Sequence, residues 1–161
     1  MKSKKKRRQR KYVRFEREHW MSLWQGDWKQ LDDGGWLLAF MDDASRRIMC
    51  YGIFDKATTE NVVTVLKKGF EEYGKPDEIL TDHGTQFVAS RKNKKGFAKH
   101  KFGKFLEENG IKHILARVQH PQTNGKIERF FGCWMPKRAY STVWMSSYTG
   151  ITMISLHDYG F

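Results

Sequence analysis

Two nearly uninterrupted apolar runs, Trp36–Met41 and Ile48–Phe54, are separated only by the short segment Asp42–Arg47. Strands that are apolar on both faces must be covered on both faces, and so short a turn makes them antiparallel neighbours. A sheet with helices on each side is the arrangement that satisfies this demand. Upstream, Ser22–Leu31 alternates partly at period two, with Leu23, Trp28 and Leu31 available for packing. The following Asp32-Asp33-Gly34-Gly35 is a hairpin turn signal, so the three runs read as a meander.

The downstream pattern supplies the helices. Thr58 or Thr59 can cap a helix whose stripe is Val62, Val63, Val65, Leu66, Phe70 and Tyr73, and Gly74 with Pro76 ends it. Ile79-Leu80-Thr81 is a short buried strand leading into Asp82, and a right-handed crossover sets it parallel to its neighbour. Phe102, Phe105 and Leu106 mark a short helix closed by Asn109-Gly110, and Ile111–Leu115 is a fifth strand. A loop with Pro121 and Gly125 then enters a last helix with Ile127, Phe130 and Phe131 on its apolar face. The order β-β-β-α-β-α-β-α gives an α/β fold, a five-stranded mixed sheet flanked by helices. Pro136 is expected to break the last helix soon after Glu128.

With 161 residues the chain suits one domain with a proper core. Its net charge of +12 is unevenly placed. The first 14 residues hold nine Lys or Arg and no acid, including Lys4, Lys5, Lys6, Arg7 and Arg8. Residues 91–101 hold six more and again no acid, and the remainder is mildly acidic. Two basic attachments on an acidic body point to a polyanionic partner, nucleic acid above all. No apolar run reaches membrane-spanning length and no signal peptide is present, so a cytoplasmic protein without membrane contact is expected. Cys50 and Cys133 form no disulfide framework, and no Cys or His spacing suggests zinc.

Three carboxylates fall where chemistry is usually built. Asp27 lies in the first strand, Asp82 at the carboxyl end of the fourth, and Glu128 at the start of the last helix. Taken singly, each reads as a surface charge, a turn residue or a helix-dipole partner. Brought together they would take hard divalent cations, and two such ions can clamp the attacking and leaving oxygens of a phosphoryl transfer. Asp42 and Asp43 compete as ligands, but a turn between strands explains them better. Gln122, Asn124, Lys126 and Arg129 surround Glu128 and suit phosphate and base contacts at a helix N-terminus.

Trp24-Gln25-Gly26-Asp27, Leu80-Thr81-Asp82-His83-Gly84-Thr85-Gln86-Phe87 and His120-Pro121-Gln122-Thr123-Asn124-Gly125-Lys126-Ile127-Glu128-Arg129 resemble the signature blocks of the retroviral-integrase-like DDE transposases. The likeness is greatest to prokaryotic insertion-sequence transposases and runs from about Leu23 to Gly132. It implies an RNase H-like fold and metal-dependent DNA cleavage and strand transfer with Mg2+ or Mn2+. It carries the catalytic acids onto Asp27, Asp82 and Glu128. It also implies DNA partners (element ends and target), a homo-oligomer and a nucleoid-associated location.

The domain reading that follows is a basic arm or linker over 1–20, an integrase-like core over 21–132 and an atypical tail over 133–161. The family's helix-turn-helix region is expected to be missing before the core. The wide spacing between Asp82 and Glu128 is attributed to the basic insert. The tail holds a single acid, Asp158, and no clear helical periodicity, which suggests a frameshifted, truncated transposase. A non-catalytic remnant that still binds DNA through its basic segments is the alternative.

Overall fold

The Asp32–Gly35 signal does what its composition requires. Leu31 N–H donates to Gly35 O at 2.8 Å, Gly34 N–H donates to Leu31 O at 3.0 Å, and Gly34 takes φ +86°. This turn joins β1 (Leu23–Gln30) to β2 (Trp36–Asp42) as an antiparallel pair. The computed structural model describes residues 16–88, 101–116 and 125–138. The tight turn after Asp42 returns the chain as β3 (Ile48–Phe54), antiparallel to β2. Both β2 and β3 are buried almost throughout, as their continuous apolar runs predict.

Helix α1 (Thr59–Tyr73) starts at an N-cap, where Thr58 Oγ1 accepts from Asn61 N–H at 3.2 Å. It ends where Gly74 N–H donates to Phe70 O. The crossover delivers β4 (Glu78–Thr81) alongside β1 in parallel. Helix α2 (Lys101–Glu108) then leads to β5 (Lys112–Leu115), parallel to β4, and α3 (Gly125–Arg138) follows. The sheet order is β3-β2-β1-β4-β5. The expected α/β architecture, a five-stranded mixed sheet flanked by helices, is therefore the observed one.

One expectation fails. α3 continues through Pro136 to Arg138 instead of breaking there. A proline removes one N–H bond and crowds the carbonyl four residues back. Such a loss can bend a helix without ending it, and here the helical path carries on for two residues past the proline.

Alternation along the strands builds two cores. On one face Trp24, Leu38, Phe40, Cys50, Phe54 and Ile79 pack against Val62, Val65 and Leu66 of α1 and Phe102 and Leu106 of α2. Phe70 and Phe105 stack at 5.9 Å and tie the two helices together. On the other face Leu37, Ala39, Met41 and Tyr51 receive Ile127 and Phe131 of α3. Burial of each such large side chain stabilises by about 1.5–3 kcal/mol, which is what holds helices of this length on a sheet. Cys50 is a buried free thiol. Among the described residues no helix is long and apolar enough to cross a membrane.

Candidate active site

The α3 face of the sheet carries the acids. Gly26 faces Phe40 in the α1 core, so alternation turns Asp27 to the opposite face, beside its partner Ala39. In the parallel pair, Gln25 stands opposite Leu80. Continuing that register by two residues sets Asp82 next to Asp27 on the same face. Glu128 belongs to the first turn of α3, which packs on β1 and β2. Its neighbours Ile127 and Phe131 are buried at 0% and 3% exposure, and Glu128 itself is exposed.

Burial pushes the Asp27 carboxyl up to about 7, against the Trp28 N–H that donates to Oδ1 at 2.8 Å. The charges of Asp82 and Glu128 push in the same upward direction. A cation placed beside such a carboxylate would favour its charged form. Among the described residues, no three of His, Cys, Asp or Glu gather closely enough to hold a metal ion. The oxygen-only donor set nevertheless suits hard divalent cations rather than zinc or copper.

The loop that carries Asp82 is well anchored. Gly84 N–H donates to Asp82 Oδ1 at 2.9 Å, and a Cβ on Gly84 would stand 3.0 Å from that oxygen. His83 Nε2 donates to Ala116 O at 2.9 Å, closing the loop onto the end of β5. Phe87 is buried against Phe102, and Thr59 Oγ1 donates to Gln86 O at 2.8 Å.

Sequence reasoning missed a group beside the acids. Asp43 is fully buried and accepts from Gln25 Nε2, from Lys126 Nζ at 2.5 Å and from Arg17 N–H at 2.6 Å. Asp42 accepts from Met21 N–H at 2.9 Å and from the N–H and hydroxyl of Ser45 at 2.8 and 2.7 Å. Both acids thus serve the fold, as their turn position suggested. Lys126 turns toward Asp43, its side chain only 14% exposed. Burial lowers its pKa, opposed by the Asp43 pairing. Arg129 is exposed. Gln122, Asn124, Lys4, Lys5, Lys6, Arg7 and Arg8 lie outside the described residues, as do most of the basic insert and the tail after Arg138. The one sequence signal for the missed group is that Gln25 stands two residues before Asp27, on the same strand face.

Residues 17–121 match the family model of the integrase core domain. The chain belongs to the integrase core domain family. The matched span includes Asp27 and Asp82 and stops just before Glu128. This integrase core is 33% identical over 98 residues to an ORF3 product of Spiroplasma virus SpV1-C74 that carries an integrase name, covering 56% of this chain and 27% of that one. It is 29% identical over 128 residues to the transposase of transposon Tn552 from Staphylococcus aureus, covering 68% of this chain and 25% of the relative. The integrase core thus spans about a quarter of the length of these two relatives. Its fold is that of the BIV integrase catalytic core, with a TM-score of 0.61 at 17% identity over 78% of this chain and 75% of the other. That is an RNase H-like fold.

Proposed function

We propose that this integrase core is the catalytic unit of a DNA transposase, performing metal-dependent phosphodiester cleavage and strand transfer. The observation that carries the reading is the strand register, which sets Asp82 beside Asp27 on the sheet face where α3 brings Glu128. Two carboxylates side by side on a sheet face, with a third on the helix above it and substrate phosphate to complete the shell, suit divalent cations.

Asp27, Asp82 and Glu128 would hold Mg2+ or Mn2+, whose chemistry is activation of a water or 3′-hydroxyl and stabilisation of the departing oxygen. The chain's own residues do the rest. The sheet holds Asp27 rigid, the Asp82–Gly84 turn aims a carboxylate oxygen, and α3 presents Glu128 at the surface where a phosphodiester can reach it. Arg129, with Gln122 and Asn124, supplies phosphate and base contacts, and Lys4 to Arg8 add sequence-independent attraction to the DNA backbone. In the free protein Lys126 is held by Asp43, which leaves Arg129 the exposed cation next to Glu128. The partners are DNA element ends and target, the working form is a homo-oligomer, and the location is the nucleoid of a prokaryotic cytoplasm.

A second reading, a non-catalytic core that binds DNA, draws on the altered character of the sequence after Gly132. A nicking and strand-transfer assay with Mg2+ or Mn2+, run beside Asp82→Asn, separates the two. Product from the wild type alone supports catalysis; equal product from both, or none from either, sinks it.

A further inference from the structure

Asp43 gathers donors from three separate parts of the chain. Gln25 Nε2 comes from β1, Lys126 Nζ from α3, and Arg17 N–H from the segment before β1. The spacing on two of these is the same. Gln25 stands two residues before Asp27, on one face of β1, and Lys126 stands two residues before Glu128, in the first turn of α3. One buried carboxylate therefore ties the strand that carries the first acid to the helix that carries the third.

The other hold on this turn of α3 is apolar, through Ile127 and Phe131. Apolar burial is non-directional and tolerates rotation or sliding of a helix on its bed. A charge-assisted hydrogen bond fixes distance and direction. Rotating Lys126 away would strip a fully buried carboxylate of its countercharge, which is strongly unfavourable. The pair thus sets both the rotation and the height of the helix start.

We propose that Asp43 and Lys126 are positioning residues that set the placement of Glu128 relative to Asp27. The proposal rests on the reading of Glu128 as a metal-holding carboxylate. Neither residue touches the reacting atoms. Lys126 acts inward, as the strut of the site.

The test uses the full chain and the variants Asp43→Asn, Lys126→Met, Lys126→Arg and the double Asp43→Asn/Lys126→Met. Amide hydrogen exchange without metal is read at residues 129–132, whose N–H groups donate into the first turn of α3. The expected result is exchange about ten-fold faster there in Asp43→Asn and Lys126→Met, with α1 unchanged. Mn2+ affinity, measured by calorimetry on protein shown to be folded, should fall about 10- to 100-fold in both. The double variant should be no worse than either single one, and Lys126→Arg should recover most of the affinity. If Asp43→Asn fails to fold, Lys126→Met carries the test, since it leaves Asp43 its Gln25 and Arg17 donors. Unchanged exchange at 129–132, or unchanged Mn2+ affinity in folded Lys126→Met, overturns the proposal. A wild type that binds no Mn2+, and equals Asp82→Asn in this, removes the metal reading instead. The strut is then decided by exchange alone.

Discussion

Phe40 occupies the space where a side chain on Gly26 would begin: a Cβ there would stand 2.2 Å from Phe40 Cε1. The two residues are cross-strand partners in the β1–β2 ladder, on the face turned away from Asp27. The ring lies against bare backbone one residue from the candidate active site. The position of Asp27 is therefore linked to how closely Phe40 packs.

Gly26→Ala should force Phe40 or β1 to move. Overpacking of this kind costs about 1–3 kcal/mol. Urea unfolding should show a lower midpoint at unchanged slope. An unaltered midpoint would mean that Phe40 swings aside freely.

The pH dependence of stability should report Asp27. Its folded pKa is raised to about 7 from an ordinary 3.8, chiefly by burial and further by Asp82 and Glu128. Between those values the folded state keeps a proton that the unfolded state has released. The stability it contributes is full below about pH 4 and is lost as pH rises through about 7, at no more than about 1.4 kcal/mol per pH unit. Metal-free urea unfolding from pH 4.5 to 8 should show this fall in the wild type and a flatter profile in Asp27→Asn. Parallel profiles would contradict the assignment.

Thr58→Ala removes the side-chain acceptor at the start of α1, the helix that covers one face of the sheet. The loss should be about 1 kcal/mol, or about 2–4 °C in melting temperature, and Thr58→Ser should retain most of it.

DNA affinity should fall steeply with salt, with a log–log slope of about 0.9 per phosphate contact. Deleting residues 2–14, which carry the nine N-terminal cations, should flatten that slope and weaken binding to all sequences alike. A slope unmoved by the deletion would place the contacts on the core.

The fold was legible wherever local chemistry decides structure. β3 begins and ends at the expected residues because Ile48–Phe54 is apolar and bounded by turns on both sides. α1 begins after Thr58, one of the two threonines able to cap it, and stops at the C-cap Gly74. The candidate site was legible in its parts, since strand alternation and strand ends carry Asp27 and Asp82. Asp43 was not legible in the same way. A turn aspartate reads as solvated, and the partner that draws it inside, Lys126, is distant in sequence. Lys126 reads with Gln122, Asn124 and Arg129 as a phosphate and base contact for the same reason, because spacing along a loop and first turn says nothing about which side chain turns inward. Pro136 misleads because a proline can kink a helix without ending it, and the sequence alone does not say which happens.

The order β3-β2-β1-β4-β5 also sets a timetable for a chain emerging from a ribosome. The β1–β2–β3 meander needs only neighbouring sequence and can assemble early. The other edge of β1 waits for β4, and Glu128 arrives only with α3. Asp82 follows Asp27 by 55 residues and Glu128 follows Asp82 by 46 more, so whatever chemistry the three acids perform is withheld until almost all of the described fold has formed. The hazard of that interval is an unpaired edge on β1, open to pairing with another chain, rather than a prematurely assembled cutting site.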